Sequence, residues 1–298
     1  MQVEWRGIYP AVSTQFKSDF SLDVEATQRV VDALVKDGVH GLVMLGTVGE
    51  NTSLSADEKR TVVRAAREAA GDRVPVISGV AEYTTQLAAA YARDCEGIGL
   101  DGLMALPPMV YKGDPRETAS HIRGVAEATS LPVMIYNNPV AYGTDIQPEG
   151  LIELSRVPNI VAVKESSEDP RRITDLYNLD RDALYVMAGV DDVALECMVL
   201  GARGWVSGFA NVFPAESVRI YECVQRGEVA KALEIYRWMM PALHMDTHPK
   251  LVQMIKLCEQ LVGRGSETVR PPRLMLEGAE REWVTGIMET ALADRPEL

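Results

Sequence analysis

The chain alternates between short apolar runs and amphipathic helical patterns, and this alternation restricts its fold more than any other feature. Short apolar, β-branched runs are typical of buried parallel strands, whereas apolar residues three or four positions apart indicate helices. Strands are predicted at 7–14, 41–45, 74–80, 102–106, 131–137, 159–164, 184–189 and 204–207. Helices are predicted between them at 24–37, 56–70, 85–97, 116–129, 148–156, 171–179 and 193–201.

Eight strand and helix units in about 210 residues predict an α/β fold, the (β/α)8 TIM barrel, with its active site on the loops after the strand C-termini. A doubly wound open sheet is the alternative. After residue 207 only helical patterns remain, at 214–226, 228–240, 247–263 and 277–293. We therefore predict a barrel catalytic domain over 1–226 and C-terminal helices over 227–298 that pack on the barrel.

Composition and charge argue against several classes of protein. No stretch reaches 18 consecutive apolar residues, so a membrane span is not expected. The start, M-Q-V-E-W-R-G, lacks the basic and apolar regions of a secretory signal. The formal charge of −13, without clustered lysine and arginine, argues against a nucleic-acid partner. We expect a cytoplasmic protein that binds neither membrane nor nucleic acid.

Patterns of metal ligands are weak. The four cysteines lie far apart without a C-x-x-C pair, so neither a disulfide framework nor a zinc site is expected. His244, Asp246 and His248 in H-M-D-T-H are at helical spacing, but no further ligand clusters with them. We interpret this run as a solvated helix face and predict no metal.

The sixth predicted strand ends on a lysine. Residues 160–163 are apolar and mostly β-branched, as in a strand covered on both faces, and Lys164 follows them directly. In one interpretation the ammonium lies in water and its stem lies on apolar surface. In the other, a dry site lowers the lysine pKa and makes the amine a nucleophile for carbonyl carbon. The ends of the other strands favour the second interpretation.

Barrel strand ends meet at one mouth, so their residues can be considered together. The second predicted strand ends in the turn Gly46-Thr47-Val48-Gly49, whose backbone N–H groups suit a carboxylate. The fifth carries Tyr136, whose phenol can move protons near an imine formed on Lys164. An anion site, a phenol and an amine at three strand ends predict an active site.

Three ordered motifs carry a resemblance to a known family. G-T-V-G-E at 46–50, Y-N-N-P at 136–139 and V-K-E-S-S at 163–167 resemble the dihydrodipicolinate synthase and N-acetylneuraminate lyase family of class I lyases, over essentially the whole chain. The resemblance implies a homotetramer, or a dimer of dimers, that uses no cofactor. It implies that Lys164 forms a Schiff base with a small 2-oxo acid, that Tyr136 relays protons, and that Thr47 and the N–H of Val48 hold the substrate carboxylate. Further substrate-binding residues implied are Gly46, Asn138, Gly189, Val206 and Ser207.

The sequence departs from this family at three points. Lysine-biosynthetic members carry an arginine two residues after the Y-N-x-P proline, where this chain has Ala141, which argues against 4-hydroxy-tetrahydrodipicolinate synthesis. Val48 replaces the second of two adjacent threonines. The relay tyrosine that members borrow from a neighbouring subunit falls nearest to Val110, with Tyr111 one residue along. We therefore expect the proton relay to be incomplete or rearranged.

Two longer runs suggest a substrate. The runs N-N-P-V-A-Y-G at 137–143 and W-M-M-P-A-L-H-M-D-T-H-P-K-L-V-Q at 238–253 resemble the pyrroline-4-hydroxy-2-carboxylate deaminases of hydroxyproline catabolism. Our hypothesis is a cofactor-free lyase that deaminates and dehydrates this cyclic imino acid. The alternatives are an aldolase or dehydratase of 2-oxo-3-deoxy sugar acids, and a metabolite-binding paralogue that does not turn its ligand over.

Overall fold

The computed structural model describes residues 3–108 and 111–298. Its strands are β1 (Gly7–Pro10), β2 (Leu42–Met44), β3 (Val76–Val80), β4 (Gly102–Ala105), β5 (Val133–Asn137), β6 (Ile160–Glu165), β7 (Tyr185–Ala188) and β8 (Gly204–Ser207). The helices are α1 (Val24–Lys36), α2 (Ala56–Ala70), α3 (Thr85–Ile98), α4 (Pro115–Ala126), α5 (Pro139–Tyr142), α6 (Pro148–Leu154), α7 (Arg171–Leu179), α8 (Ala194–Val199), α9 (Pro214–Gln225), α10 (Val229–Leu243), α11 (Leu251–Leu261) and α12 (Gly278–Ala293).

The strands form one parallel sheet that closes on itself. Their order is β1-β8-β7-β6-β5-β4-β3-β2, and β1 pairs with β8 so that Gly7 lies opposite Gly204. The other edge closes through a parallel bridge between Ala11 and Val43, next to which the Val12 N–H donates to the Val43 carbonyl (2.9 Å). The (β/α)8 prediction is confirmed, and the open sheet is wrong because the first strand pairs at both edges.

Two apolar clusters account for the alternation in the strands. Residues such as Tyr9, Met104 and Met187 form a cluster inside the barrel, and a larger cluster lies between the strands and the surrounding helices. Along β6, Val163 belongs to the outer cluster and Ala162 to the inner one. Because side chains alternate along a strand, Lys164 points to the same face as Ala162, into the barrel.

Segments near the barrel mouth differ from their predicted structure. The helix predicted at 247–263 begins only at Leu251, because Pro249 disfavours helical backbone at the residue before it, and His248 is extended. A 3₁₀ turn, His244–Thr247, precedes it. The short helix α5 was not predicted; Asn138 caps it by accepting a hydrogen bond from the Ala141 N–H (2.8 Å). Both segments contribute residues to the site described below.

The C-terminal helices are tied to the barrel by a buried ion pair. The Lys256 ammonium on α11 donates to the Glu50 carboxylate (3.0 Å) and to the Thr14 carbonyl (2.8 Å), and both side chains are completely buried. Glu50 directly follows the 46–49 turn. The boundary predicted at 226/227 falls in the short connection between α9 and α10, and division into two domains stays a prediction. None of the described helices is both long and apolar enough to span a bilayer.

Candidate active site

A cavity of about 400 Å³ opens at the C-terminal end of the strands. It is formed by the segments that follow β2, β5, β6, β7 and β8, together with the start of the C-terminal helices. Among the predicted site residues, those that line it are Gly46, Thr47, Val48, Tyr136, Asn138, Lys164 and Gly189. The structure thus brings these seven residues together, while their chemical roles stay predictions.

Lys164 is a desolvated amine inside this cavity. It pairs in register with Tyr136 on β5 and Met187 on β7, and the residue is only 6% exposed. The Lys164 Nζ lies 4.4 Å from the centroid of the Tyr136 ring. Burial lowers the pKa of Lys164 below its usual value, against the opposing pull of the Asp246 and Asp191 carboxylates. The geometry favours the nucleophilic interpretation of this lysine over a solvated strand end.

Gly189 leaves the space in which the Lys164 stem lies. A Cβ added at Gly189 would lie 2.0 Å from the Ser166 Oγ and 2.8 Å from the Lys164 Cγ. Gly189→Ala is therefore expected to lower the free energy of unfolding by about 1–3 kcal/mol through overpacking. Urea denaturation measures this, and adding Ser166→Ala should restore part of the loss by removing the closest contact.

The matched control is Gly97→Ala, because Gly97 lies within α3 and a Cβ there meets nothing within 4 Å. Alanine is favoured over glycine in a helix, so this variant should be as stable as the parent or more stable. Equal stability of the Gly189 and Gly97 variants would contradict the packing role of Gly189.

Tyr136 lies above the lysine with its hydroxyl held in place. The Asn138 Nδ2 donates to the Tyr136 hydroxyl (3.1 Å). Burial raises the pKa of Tyr136 to about 12, so the phenol is protonated at neutral pH. A neutral phenol beside an amine whose pKa is lowered can donate a proton to a substrate oxygen or nitrogen and take one back.

A second phenol comes from the same chain. The Tyr142 hydroxyl and the Thr47 Oγ1 form a short hydrogen bond, and the Tyr142 ring packs edge-on against Tyr136 with centroids 5.6 Å apart. α5 thus places a tyrosine of the same chain next to Thr47, and its part in a proton relay stays a prediction. Tyr111 is exposed and donates to Glu117 (2.7 Å), and Val110 lies outside the described residues. The run N-P-V-A-Y-G contained this signal, but nothing in its spacing assigned Tyr142 to the cavity.

The turn at 46–49 has a constrained backbone. Leu45 and Glu50 on either side adopt left-handed conformations that residues with side chains rarely take. A Cβ at Gly49 would lie 2.8 Å from the Leu45 backbone, so only glycine fits there. The Asn51 Nδ2 donates to the Leu45 carbonyl (2.9 Å) and supports the turn from below. Strained backbone held in this way is common where a ligand is bound.

Two predicted pocket residues do not reach the cavity. Val206 packs inside the barrel, and Ser207 is fully buried, where its hydroxyl donates to the Asp191 carboxylate (3.2 Å). The side chains at the end of β8 lie one layer below the cavity, while Gly208 lines it. The prediction that Val206 and Ser207 line the pocket is therefore not matched by the described structure.

Sequence reasoning missed the carboxyl group that the C-terminal turn brings to the site. Asp246 and His248 line the cavity, so the interpretation of H-M-D-T-H as a solvated helix face is wrong for these two residues. His244 does face away, and its Nδ1 contacts the Asp192 carboxylate (2.8 Å). Within residues 3–108 and 111–298, no three histidine, cysteine or acidic side chains are grouped as metal ligands.

Known proteins resemble the chain over nearly its whole length. Residues 4–291 match the dihydrodipicolinate synthetase family. A 4-hydroxy-tetrahydrodipicolinate synthase from Methanothrix thermoacetophila is 32% identical over 272 residues, 90% of each chain. Dihydrodipicolinate synthase DapA-2 from Bacillus anthracis has a TM-score of 0.93 at 28% identity, covering 99% of this chain and 100% of that one.

A third similar protein is YagE, a prophage protein of the dihydrodipicolinic acid synthase family from E. coli K12, solved in complex with pyruvate. Its TM-score is 0.91 at 28% identity, and the match covers 96% of this chain and 98% of that one. Matches of this extent, with a barrel of the same architecture, establish the relationship. The chain belongs to the dihydrodipicolinate synthetase family of class I, Schiff-base-forming lyases.

Proposed function

We propose that Lys164 forms a Schiff base with C2 of a small 2-oxo acid or cyclic imino acid, and that the best substrate is 1-pyrroline-4-hydroxy-2-carboxylate, which is dehydrated and deaminated. The observation that carries this proposal is the buried Lys164 amine beneath the Tyr136 ring, next to the hydrogen-bonded Thr47 and Tyr142. The pyruvate complex of YagE supports a ligand of the 2-oxo acid class.

In the proposed reaction the neutral Lys164 amine adds to the C=N carbon of the ring. The substrate carboxylate binds at the turn, against the Thr47 hydroxyl and the Val48 N–H, where backbone N–H groups accommodate an anion. The C2–N bond of the ring then breaks, and Tyr136 supplies the proton that the departing amine needs. The resulting imine draws electrons from C3 and acidifies its protons.

The charges in the cavity favour a substrate with one carboxylate. Lys164 is the sole lysine or arginine among the described residues that line it, and Ala141 occupies the position at which lysine-biosynthetic members of the family carry an arginine. A second carboxylate would be desolvated without a cation to pair with it. The relatives' activity, 4-hydroxy-tetrahydrodipicolinate synthesis, brings a second substrate with its own carboxylate and is therefore disfavoured.

The apolar part of the cavity wall favours a short ring over a sugar chain. Beyond the amine and the turn, much of the wall is apolar, formed by Val140, Ala141, Val190, Pro249 and Leu251. A five-membered imino acid buries its apolar edge there, whereas a 2-oxo-3-deoxy sugar acid would lose hydration of several hydroxyl groups. The 2-oxo-3-deoxy sugar acids are for this reason the second choice.

A substrate panel tests the proposal. The enzyme is incubated with 1-pyrroline-4-hydroxy-2-carboxylate, 2-oxo-3-deoxy sugar acids, N-acetylneuraminate, or pyruvate with aspartate semialdehyde; products are identified and borohydride-trapped adducts are measured by mass. We expect the pyrroline to give the highest kcat/KM with release of ammonia. Faster turnover of another compound would reassign the substrate, and trapping without turnover of any compound would indicate a metabolite-binding paralogue.

The rearranged relay makes a prediction about assembly. The family resemblance implies a homotetramer, yet the phenol that contacts Thr47 belongs to the same chain. We therefore expect specific activity to stay within about twofold when the enzyme is diluted through any subunit dissociation, since no partner residue is needed for proton transfer. Activity and sedimentation velocity over the same concentrations measure this, and activity that falls in parallel with dissociation would contradict it.

A further inference from the structure

Two neighbouring carboxyl groups lie where β7 and β8 end, and the Schiff-base step uses neither. Asp246 lines the cavity, and its Oδ2 accepts a hydrogen bond from the Asp191 N–H (3.2 Å). The Asp246 Oδ1 lies 2.8 Å from the place where a Cβ on Gly208 would stand, and Gly208 also lines the cavity. The missing side chain of Gly208 leaves room for this carboxyl group at the cavity surface.

The hydrogen-bond donors around Asp191 stabilise its ionised form. Asp191 is fully buried, and its two oxygens accept hydrogen bonds from the Trp205 Nε1 (2.8 Å), the Ser207 hydroxyl (3.2 Å) and the N–H groups of Gly208 (3.3 Å) and Phe209 (2.7 Å). Burial raises the pKa of Asp191 to about 6 against these donors, so it is ionised at pH 7.

The two carboxyl groups differ in their hydrogen-bond donors: Asp246 accepts from the Asp191 N–H, whereas Asp191 accepts from the Trp205, Ser207, Gly208 and Phe209 donors. Burial and the negative charge of Asp191 raise the pKa of Asp246 well above the usual range, while Lys164 opposes the shift. When two close carboxyl groups differ in hydrogen-bond donors, the negative charge is favoured on the one that accepts more hydrogen bonds, and the other is the candidate acid. A proton shared by the pair is therefore favoured on Asp246, which lines the same cavity as Lys164.

We propose that Asp246 is the catalytic acid that protonates the hydroxyl leaving from C4 of the Lys164-bound substrate, which makes the site a dehydratase and not an aldolase. This inference rests on the proposed function, since it requires a substrate held at Lys164 as an imine.

The step balances as an elimination of water. Loss of a C3 proton through the tyrosine relay leaves an enamine whose electron pair forms the C3=C4 bond. The C4–O bond breaks, its electron pair stays on oxygen, and the Asp246 proton completes a water molecule. Asp246 is left as a carboxylate and regains a proton from solvent. For the pyrroline, the C5 amine then becomes an imine by tautomerisation, and water releases it as ammonia.

The protonation state of Asp246 separates dehydration from aldol cleavage. Aldol cleavage breaks C3–C4 and needs a base to take the proton of the C4 hydroxyl, whereas dehydration breaks C4–O and needs an acid. Because the neighbouring buried Asp191 favours a proton on Asp246, this carboxyl group is suited to act as the acid. The second choice among substrates, the 2-oxo-3-deoxy sugar acids, would accordingly be dehydrated at this site.

The ionisable groups around Asp246 come from several elements. Asp191 and Asp192 follow β7, and Lys164 lies on β6; all three shift the pKa of Asp246. Tyr136 lies on β5, and the charge of Asp246 contributes to raising its pKa. His248 lies two residues further along the same segment and also lines the cavity. Because these groups titrate together, the test compares leaving groups and does not depend on a pH profile.

The experiment uses Asp246→Asn in the full-length enzyme with 1-pyrroline-4-hydroxy-2-carboxylate and its 4-fluoro analogue. Fluoride leaves without a proton, so the variant should lose about 10²-fold in kcat on the hydroxy substrate and less than about fivefold on the fluoro analogue. Exchange of pyruvate methyl protons in D₂O, which needs only Lys164 and the relay, should persist. Asp246→Glu, which keeps an acid, should recover part of the lost rate.

The outcomes distinguish the inference from the proposed function. Three results would overturn the role of Asp246: equal losses on both substrates, loss of pyruvate exchange in both variants, or products of C3–C4 cleavage by the parent enzyme. If the parent enzyme still trapped pyruvate, the proposed Schiff-base function would stand. Failure of the parent enzyme to trap any substrate would overturn the proposed function and the inference with it. Asp175→Asn is the matched control; Asp175 is exposed on α7 and does not line the cavity, so kcat should change by less than about twofold.

Discussion

Replacing Lys164 by alanine is expected to lower kcat by about 10⁴-fold or more and to abolish the mass gain on borohydride treatment with pyruvate. The imine divides the reaction into steps that each have an electron sink, and no other lysine among the described residues lines the cavity. Lys164→Arg is expected to be equally inactive, because a guanidinium stays charged and forms no such imine. Peptide mapping of the trapped adduct measures the site of attachment directly.

The control for this result is Lys36→Ala, because Lys36 is an exposed lysine at the end of α1 that pairs with Asp32 across one helical turn. Such exposed pairs contribute little, so kcat and trapping should be unchanged. If the Lys164→Ala protein retained substantial turnover, or if the adduct mapped to another lysine, Lys164 would lose its place as the nucleophile.

The same lysine is expected to reduce the stability of the protein. Burial lowers the pKa of Lys164 in the folded state, so between that pKa and the unfolded value the unfolded chain binds the extra proton. The free energy of unfolding then rises with pH across this window, and at neutral pH the buried amine lowers it. Lys164→Met should therefore raise Tm at pH 7, and the difference from the parent should shrink towards pH 10. A lower Tm at pH 7 would contradict a desolvated amine.

The orientation of Lys164 was predictable because a regular element sets it. Once 159–164 is identified as a barrel strand, alternation and the meeting of strand ends place Lys164 and Tyr136 in one cavity. The strand extends one residue beyond the predicted range, to Glu165, without changing this conclusion. In β8 the described structure places Gly208 at the cavity, and the predicted pocket residues Val206 and Ser207 lie before it in the strand.

Tyr142 and Asp246 were not predictable as site residues, because irregular backbone positions them. Tyr142 ends a four-residue helix that Gly143 terminates in a left-handed conformation, and Asp246 lies in a 3₁₀ turn before a proline. Neither segment has a period from which a facing direction follows. Both side chains reach the cavity because their segments pack on the barrel, and no residue spacing in the sequence indicates that packing.

Phenylalanine at Tyr136 or at Tyr142 tests whether the two phenols act as one relay. Each hydroxyl has a polar partner in the cavity: Tyr136 accepts from Asn138, and Tyr142 shares a hydrogen bond with Thr47. Loss of a general acid and base of this kind lowers kcat by about 10²–10³-fold, while the Lys164 imine still forms and is still trapped. Tyr83→Phe, at an exposed tyrosine, is the control and should leave kcat unchanged.

The double variant is the decisive measurement. If protons pass along Thr47, Tyr142 and Tyr136 in series, removing either hydroxyl already interrupts the path, so the double variant should lose no more than about threefold beyond the poorer single variant. Independent roles would instead multiply the two losses, to about 10⁴–10⁶-fold. If kcat falls in Tyr136→Phe but is unchanged in Tyr142→Phe, proton transfer belongs to Tyr136 alone and Tyr142 is a packing residue. Deuterium exchange at the pyruvate methyl group, measured in all three variants, reports the proton step without the later chemistry and should follow the same non-additive pattern.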